Sequence, residues 1–127
     1  YEIMPSLVGS EMCIRDRVRR AKVRNGFCLV SSPGSTCGIT TIEYESELLE
    51  DFKEFLENII PSEKEYRHDK VWGEKNGFSH LRSALFRPFL VIPIEEGNLV
   101  LGQWQQIVFL DFDSRPRERE ILVKIIS

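Results

Sequence analysis

LVLGQWQQIVFLDFDSRPRER, residues 99–119, is the stretch whose reading decides the fold. Leu99–Leu101 is a short apolar strand and Gly102 a tight turn. Trp104–Phe112 is a longer strand, and an arginine-rich loop follows it. Working outward, Glu95-Glu96-Gly97-Asn98 has the composition of a hairpin turn. It joins this unit to a strand over Phe89–Ile94, where Pro93 calls for an edge or a bulge. Ile121–Ile126 reads as a final strand. Upstream, Gly26–Ser31 is an apolar run after the polar turn Arg24-Asn25, and Ile39–Ile42 is β-branched and extended.

Between these strands the period changes. Leu48, Leu49, Phe52, Phe55, Leu56, Ile59 and Ile60 recur at helical spacing, with acidic residues between them. Ser46 is placed to cap this helix, Glu47 and Glu50 suit its N-terminal dipole, and Pro61 stops it. Its acidic face reads as solvated surface or as a binding face. Ser62–Gly77 reads as a long polar loop, and Phe78–Phe86 as a short helix carrying Phe78, Leu81 and Leu85. Strands and helices in this order give an α+β class.

A chain of 127 residues is one domain. Its net charge of −3 gives no general attraction to nucleic acid or anionic membrane, and no basic, aromatic stripe is present. No apolar run approaches the roughly 20 residues of a spanning helix. Cys13, Cys28 and Cys37 make no CxxC pair, so a cytoplasmic protein with reduced thiols is expected. Leu7–Arg17 (LVGSEMCIRDR) resembles the translation of a transposase sequencing adapter ending ATG TGT ATA AGA GAC AG, which encodes Met12–Asp16. On this reading 1–17 is an adapter artefact, 18–127 is the single domain, Cys13 has no role and the N-terminal strand or strands are truncated.

The chemistry-bearing residues each have two readings. His68 and His80, with Glu43, could form a metal or catalytic site, or be surface or structural histidines. The loop Gly34-Ser35-Thr36-Cys37-Gly38 could present amides to an anion or simply join two strands; it is not a Walker A loop. Cys37 is a nucleophile or a small buried filler. Arg115, Arg117 and Arg119 share one face if extended. They suit a diphosphate, or they pair with Asp111, Asp113, Glu118 and Glu120. Trp104 is a core or interface residue, or a substrate platform.

Taken together, Gly38–Glu43 (GITTIE), Tyr66 with His68, Asn76–Leu85 (NGFSHLRSAL) and Leu101–Arg117 (LGQWQQIVFLDFDSRPR) resemble the YjbQ-like family, in order and spacing, over about Gly26 to Ile126. The resemblance implies a β-sandwich of about seven strands with two helices, assembled as a homotrimer. It also implies a secondary thiamine-phosphate synthase, joining hydroxymethylpyrimidine diphosphate to thiazole phosphate with release of pyrophosphate. Under it, His80 and His68 would be acid/base groups or metal ligands, with Glu43 orienting one of them. Ser35, Thr36, Arg115 and Arg117 would clamp the diphosphate, and Cys37, Asn76, Trp104 and Gln105 would line the substrate. Mg²⁺ or another divalent metal would bridge the phosphates. The chain departs from the family where many members carry His-Thr-Thr or His-Thr-Ser: it has Gly34-Ser35-Thr36, with Ile42 in place of an Asn. A three-histidine cluster would lack one ligand in this branch. The alternative is a trimeric small-molecule or metal-binding protein with little or no synthase activity.

Overall fold

The computed structural model describes residues 2–4 and 6–127, with side chains from residue 14 onward. The order is β1 (Glu2–Met4), α1 (Ser6–Ala21), β2 (Gly26–Ser31), β3 (Cys37–Ile42), α2 (Ser46–Ile59), α3 (Arg67–Trp72), α4 (Gly77–Leu85), β4 (Phe89–Glu95), β5 (Asn98–Leu99), β6 (Gln106–Asp111) and β7 (Leu122–Ile126). Two antiparallel sheets form, one in the order β1-β6-β3 and the other β5-β4-β2-β7.

The apolar run of β6 is continuous because both of its faces are buried. Ile107 and Phe109 enter one cluster with Cys28, Val30, Ile39, Ile92 and Ile94, drawn from both sheets. Val108, Leu110 and then Phe112 enter a second cluster with Leu56 of α2. The two-residue side-chain period divides the strand between two cores. Each fully buried aliphatic side chain here contributes roughly 1.5–3 kcal/mol. The sheets are tied at one corner by residues 87–89. Ile39 N–H donates to the Arg87 carbonyl at 3.0 Å and Ser32 N–H to that of Pro88 at 2.8 Å.

The expected strands are all present, with shifted ends. The turn at Glu96-Gly97 has positive φ at both residues (49° and 80°), as a two-residue hairpin of this hand requires. Pro93 pairs with Phe27 of β2, and β5 covers only Ile94 and Glu95 of β4. Most of β4 is therefore an edge, where a missing N–H is tolerated.

Three expectations need correction. Two helices were implied, and the described residues form four. The polar stretch 62–77 is not all loop, because α3 lies within it. The cap of α2 is Glu45 rather than Ser46: its carboxylate reaches Glu47 N–H at 2.9 Å and Leu48 N–H at 2.8 Å. The adapter-like stretch lies within α1, where Ile14 is buried beside Val18. The side chain of Cys13 lies outside the described residues. Among the described residues no helix is long and apolar enough to cross a membrane.

Arg82 of α4 joins that helix to the end of α2. Its guanidinium is fully buried and donates to the Ile60 carbonyl from Nε (3.1 Å) and Nη2 (2.8 Å), while Nη2 also meets Glu57 Oε1 at 2.7 Å. It thus satisfies a C-terminal carbonyl that α2 cannot satisfy itself. Arg82→Ala is expected to cost about 1–3 kcal/mol, because it strands the Ile60 carbonyl while the 43%-exposed Glu57 keeps access to water. Arg82→Lys is expected to recover little, because a point charge cannot match the fork. Urea denaturation of both variants tests this.

Candidate functional site

α3 and α4 begin close together because one carboxylate serves both. Asp69 accepts from Tyr66 N–H (3.0 Å) before α3, and from Asn76 N–H (3.1 Å) and Gly77 N–H (2.7 Å) at the start of α4. Donation from the Tyr66 amide leads the effects that hold the Asp69 carboxyl below the usual range; the Gly77 and Asn76 amides and nearby His68 add to it. Gly77 is needed for the approach, since a Cβ there would lie 2.6 Å from Tyr66 Cβ and 3.0 Å from Asp69 Oδ1. The result is that His68 on α3 and His80 on α4 stand with ring centroids 4.6 Å apart, tilted by 59°.

Facing the histidines is the loop at the start of β3, held to the end of β6. Phe112 N–H donates to the Thr36 carbonyl at 3.0 Å. The Thr36 hydroxyl donates to Asp113 Oδ2 (3.0 Å) and accepts from Arg119 Nη2 (2.8 Å). Arg119 also grips Asp111 through Nη2 (2.9 Å) and Nε (3.4 Å), and Arg117 pairs with Asp113. Arg115 meets Glu74 at 3.4 Å, and Glu74 accepts from Asn76 Nδ2 at 3.2 Å.

These groups enclose an open cleft of about 460 Å³, lined among others by Ser35, His68, Asn76, His80, Arg115 and Arg117. The arginines are unequal. Arg119 is 12% exposed and fixed from both sides, whereas Arg115 (58%) and Arg117 (40%) keep outward donors. An anion would meet those donors, with Arg117 anchored on the buried Asp113 and Arg115 touching the half-exposed Glu74 through one contact. The pairing reading holds in part: Arg117 and Arg119 pair with Asp113 and Asp111, whereas Arg115 pairs with Glu74, and all three line the cleft. Asn76 Oδ1 is buried without a partner among the described residues, and Asn76 lines the cleft.

The structure gathers His68, His80, Asn76, Ser35, Thr36, Arg115 and Arg117 in one place. It does not bring Glu43, Trp104, Gln105 or Cys37 to them. Glu43 follows the far end of β3, about 20 Å from Thr36 along an extended strand. Trp104 and Gln105 lie at that same far end, since Ile42 pairs with Gln106. There Gln105 braces the Gly102 turn, accepting from Gly102 N–H at 3.0 Å and donating to the Thr41 hydroxyl at 3.1 Å. Cys37 is buried in the apolar cluster, its Sγ 3.7 Å from the Ser32 hydroxyl, as the filler reading requires. The site implied by the resemblance left out Trp72, Glu74 and Arg119, all of which line the cleft. The alternation 115, 117, 119 was the signal for Arg119.

A metal would find two histidine nitrogens here, but among the described residues no group of three His, Cys, Asp or Glu could hold one. The nearby carboxylates Asp111, Asp113 and Glu74 are already paired with arginine. Hard-ion binding would thus depend on oxygens brought by a ligand. At position 34 a Cβ would lie 2.7 Å from Cys37 Sγ and 3.1 Å from Arg119 Nη1, so a larger residue there must displace one of those side chains. Arg119 and Cys37 fill the space from which a larger residue would start.

Gly34→Ala is expected to destabilise by about 1–3 kcal/mol through overpacking. Adding Cys37→Ala is expected to recover part of that loss, giving a coupling in a double-mutant cycle. Burial alone would raise the Asp113 carboxyl, but hydrogen bonds from Arg117, Thr36 and the Arg115 amide outweigh it and hold the group below the ordinary range. The folded state therefore gains stability from Asp113 above the unfolded value of about pH 4 and loses it as pH falls through the lower folded value. Urea denaturation between pH 3 and 6 should show this loss, flattened in Asp113→Asn.

A sequence model of the family described as "UPF0047 protein YjbQ-like" matches residues 8–127. The chain is similar to a UPF0047 protein of Archaeoglobus fulgidus, 41% identical over 89% of this chain and 88% of the relative. It is 31% identical to the UPF0047 protein YugU of Bacillus subtilis, over 83% and 77%. Among solved structures, a YbjQ-like protein of unknown function from Sulfolobus solfataricus superposes with a TM-score of 0.86 at 27% identity, covering 98% of this chain and 86% of that one. A YjbQ/UPF0047 protein from Clostridium acetobutylicum gives 0.83 at 30% identity, covering 98% and 91%.

Proposed function

The chain belongs to the YjbQ-like UPF0047 family, and on that premise we propose that its cleft binds a phosphorylated small molecule and catalyses displacement of diphosphate. The specific reaction we assign is that of a thiamine-phosphate synthase-like transferase. One observation carries the reading: the outward donors of Arg115 and Arg117 share a cleft with the paired rings of His68 and His80.

The arrangement supports the following chemistry. The thiazole nitrogen supplies an electron pair to the pyrimidine methylene carbon, the carbon–oxygen bond to diphosphate breaks, and pyrophosphate leaves with the negative charge. Donors fixed before the reaction stabilise that charge most effectively. Arg117, anchored on Asp113, is such a donor, and Arg115 adds outward N–H groups from its contact with Glu74. Ser35 adds a hydroxyl at the mouth of the cleft, while Thr36 positions Arg119. His80 and His68 handle protons on the departing group. The buried Asn76 Oδ1 is an acceptor for an exocyclic amino N–H on the pyrimidine. Bound Mg²⁺ would neutralise diphosphate charge, entering on the ligand's own oxygens.

Homotrimer assembly belongs to the same proposal. Phe27, Phe89, Val91, Leu122 and Ile126 are exposed on β2, β4 and β7, and in register Phe27 lies between Pro93 and Ile126. An apolar sheet face of this kind is a natural subunit contact. The buried free thiols Cys28 and Cys37 are in keeping with a cytoplasmic setting.

A second reading, a small-molecule or metal binder with little synthase activity, is favoured by Gly34 in place of a histidine. Thiamine phosphate formation from the two precursors with Mg²⁺ separates the two. Synthase chemistry predicts turnover in the parent and a loss of about 10²–10⁴-fold in a still-folded His80→Ala variant. Absence of turnover in a well-folded parent would favour the binder.

A further inference from the structure

The histidine pair is shared between two cavities. Beside the cleft, and sharing with it only His68 and His80, lies a second cavity of about 600 Å³, lined also by Lys64, Glu65, Tyr66, Arg67, Gly77 and Leu81. That volume is within the range of small-molecule sites, about 300–1,000 Å³. We propose that this second cavity binds a planar aromatic or heteroaromatic ring carrying one phosphate, so that His68 and His80 border two ligands rather than one.

The lining has the composition such a ligand needs. Leu81 and the Tyr66 ring form an apolar wall, and the ring is immobile because its hydroxyl donates to the Pro61 carbonyl at 2.8 Å and its backbone N–H to Asp69. Two cations sit at the rim: the Lys64 ammonium lies 5.4 Å over the Tyr66 ring, and Arg67 opens α3. Among the described residues neither has a carboxylate partner, whereas the local acid, Glu65, is paired with Lys70 at 3.8 Å. The rim is thus net basic, with unused donors for a phosphate. Two differently equipped cavities sharing one pair of rings suit the joining of two ligands, one held by its diphosphate and one by its ring and tail. The inference rests on the transferase reading for its reaction, but the site is testable without turnover.

The test titrates the full chain with phenyl phosphate and, separately, with inorganic pyrophosphate, following backbone amides by NMR. The site predicts that phenyl phosphate shifts residues 64–67 and 81, and that pyrophosphate shifts 34–36 and 115–119. Leu81→Trp, which fills the cavity from a half-exposed position, should weaken phenyl phosphate at least tenfold and leave pyrophosphate within twofold. Arg67→Glu should do the same and serves if the tryptophan variant does not fold. Phenyl phosphate that binds nowhere, that competes with pyrophosphate for the arginine cleft, or that is indifferent to both substitutions overturns the proposal. Binding in the second cavity by a chain without synthase turnover would uphold the site and refute the reaction alone.

Discussion

Three backbone amides converge on the Asp69 carboxylate, and the placement of the histidines depends on that convergence. Helix starts leave amides unsatisfied, and two such starts lie side by side here. A single ionised acceptor meets both, so α3 and α4 cannot drift apart without stranding donors. His68 is the neighbour of Asp69 in sequence, and His80 follows Gly77 by three residues, so both imidazoles inherit their positions from this contact. The glycine is part of the same constraint, because any larger residue would push the second helix off the carboxylate.

Across the cleft a different device works. Arg117 and Arg119 are anchored to Asp113 and Asp111, and Thr36 stitches that pair to the loop before β3. Carboxylates buried this far are costly unless fully paired. The arrangement spends none of its strength on the outer donors of Arg115 and Arg117. Charge in the cleft is thus pre-positioned rather than gathered by a ligand. Gly34 belongs to this lattice as much as the arginines do, since its lack of a side chain is what admits Arg119 beside Cys37.

Much of the frame was legible in the sequence because its signals are local. The β2, β3, β4, β6 and β7 runs and the amphipathic α2 announce themselves by period and β-branching. The paired histidines and the arginine alternation were visible as candidates. The rest depends on side-chain reach and on contacts between elements. α3 is six residues of mostly polar sequence, stabilised by Asp69 rather than by an apolar stripe. Glu45 caps α2 although Ser46 has the better intrinsic preference, because its longer carboxylate reaches two amides. Arg82 is fully buried against Ile60 and Glu57, and nothing in its local sequence marks it for burial. The family motifs that include Glu43, Trp104 and Gln105 run along β3 and β6 but gather at the opposite end from the cleft, a distance that spacing in the chain does not encode.

The division of β6 between two cores also bears on how the chain acquires its fold. Its partner β3 lies some seventy positions earlier in the chain, and β2 finds β7 across a still longer interval. Apart from the short β4–β5 hairpin, little local pairing is available to seed the sheets, and closure of such long loops is entropically slow. Because alternate residues of one strand complete both apolar clusters, neither cluster can consolidate before β6 is seated. The molecule should therefore assemble late and as a unit, with the β6 amides among the last to exchange with solvent in the native state.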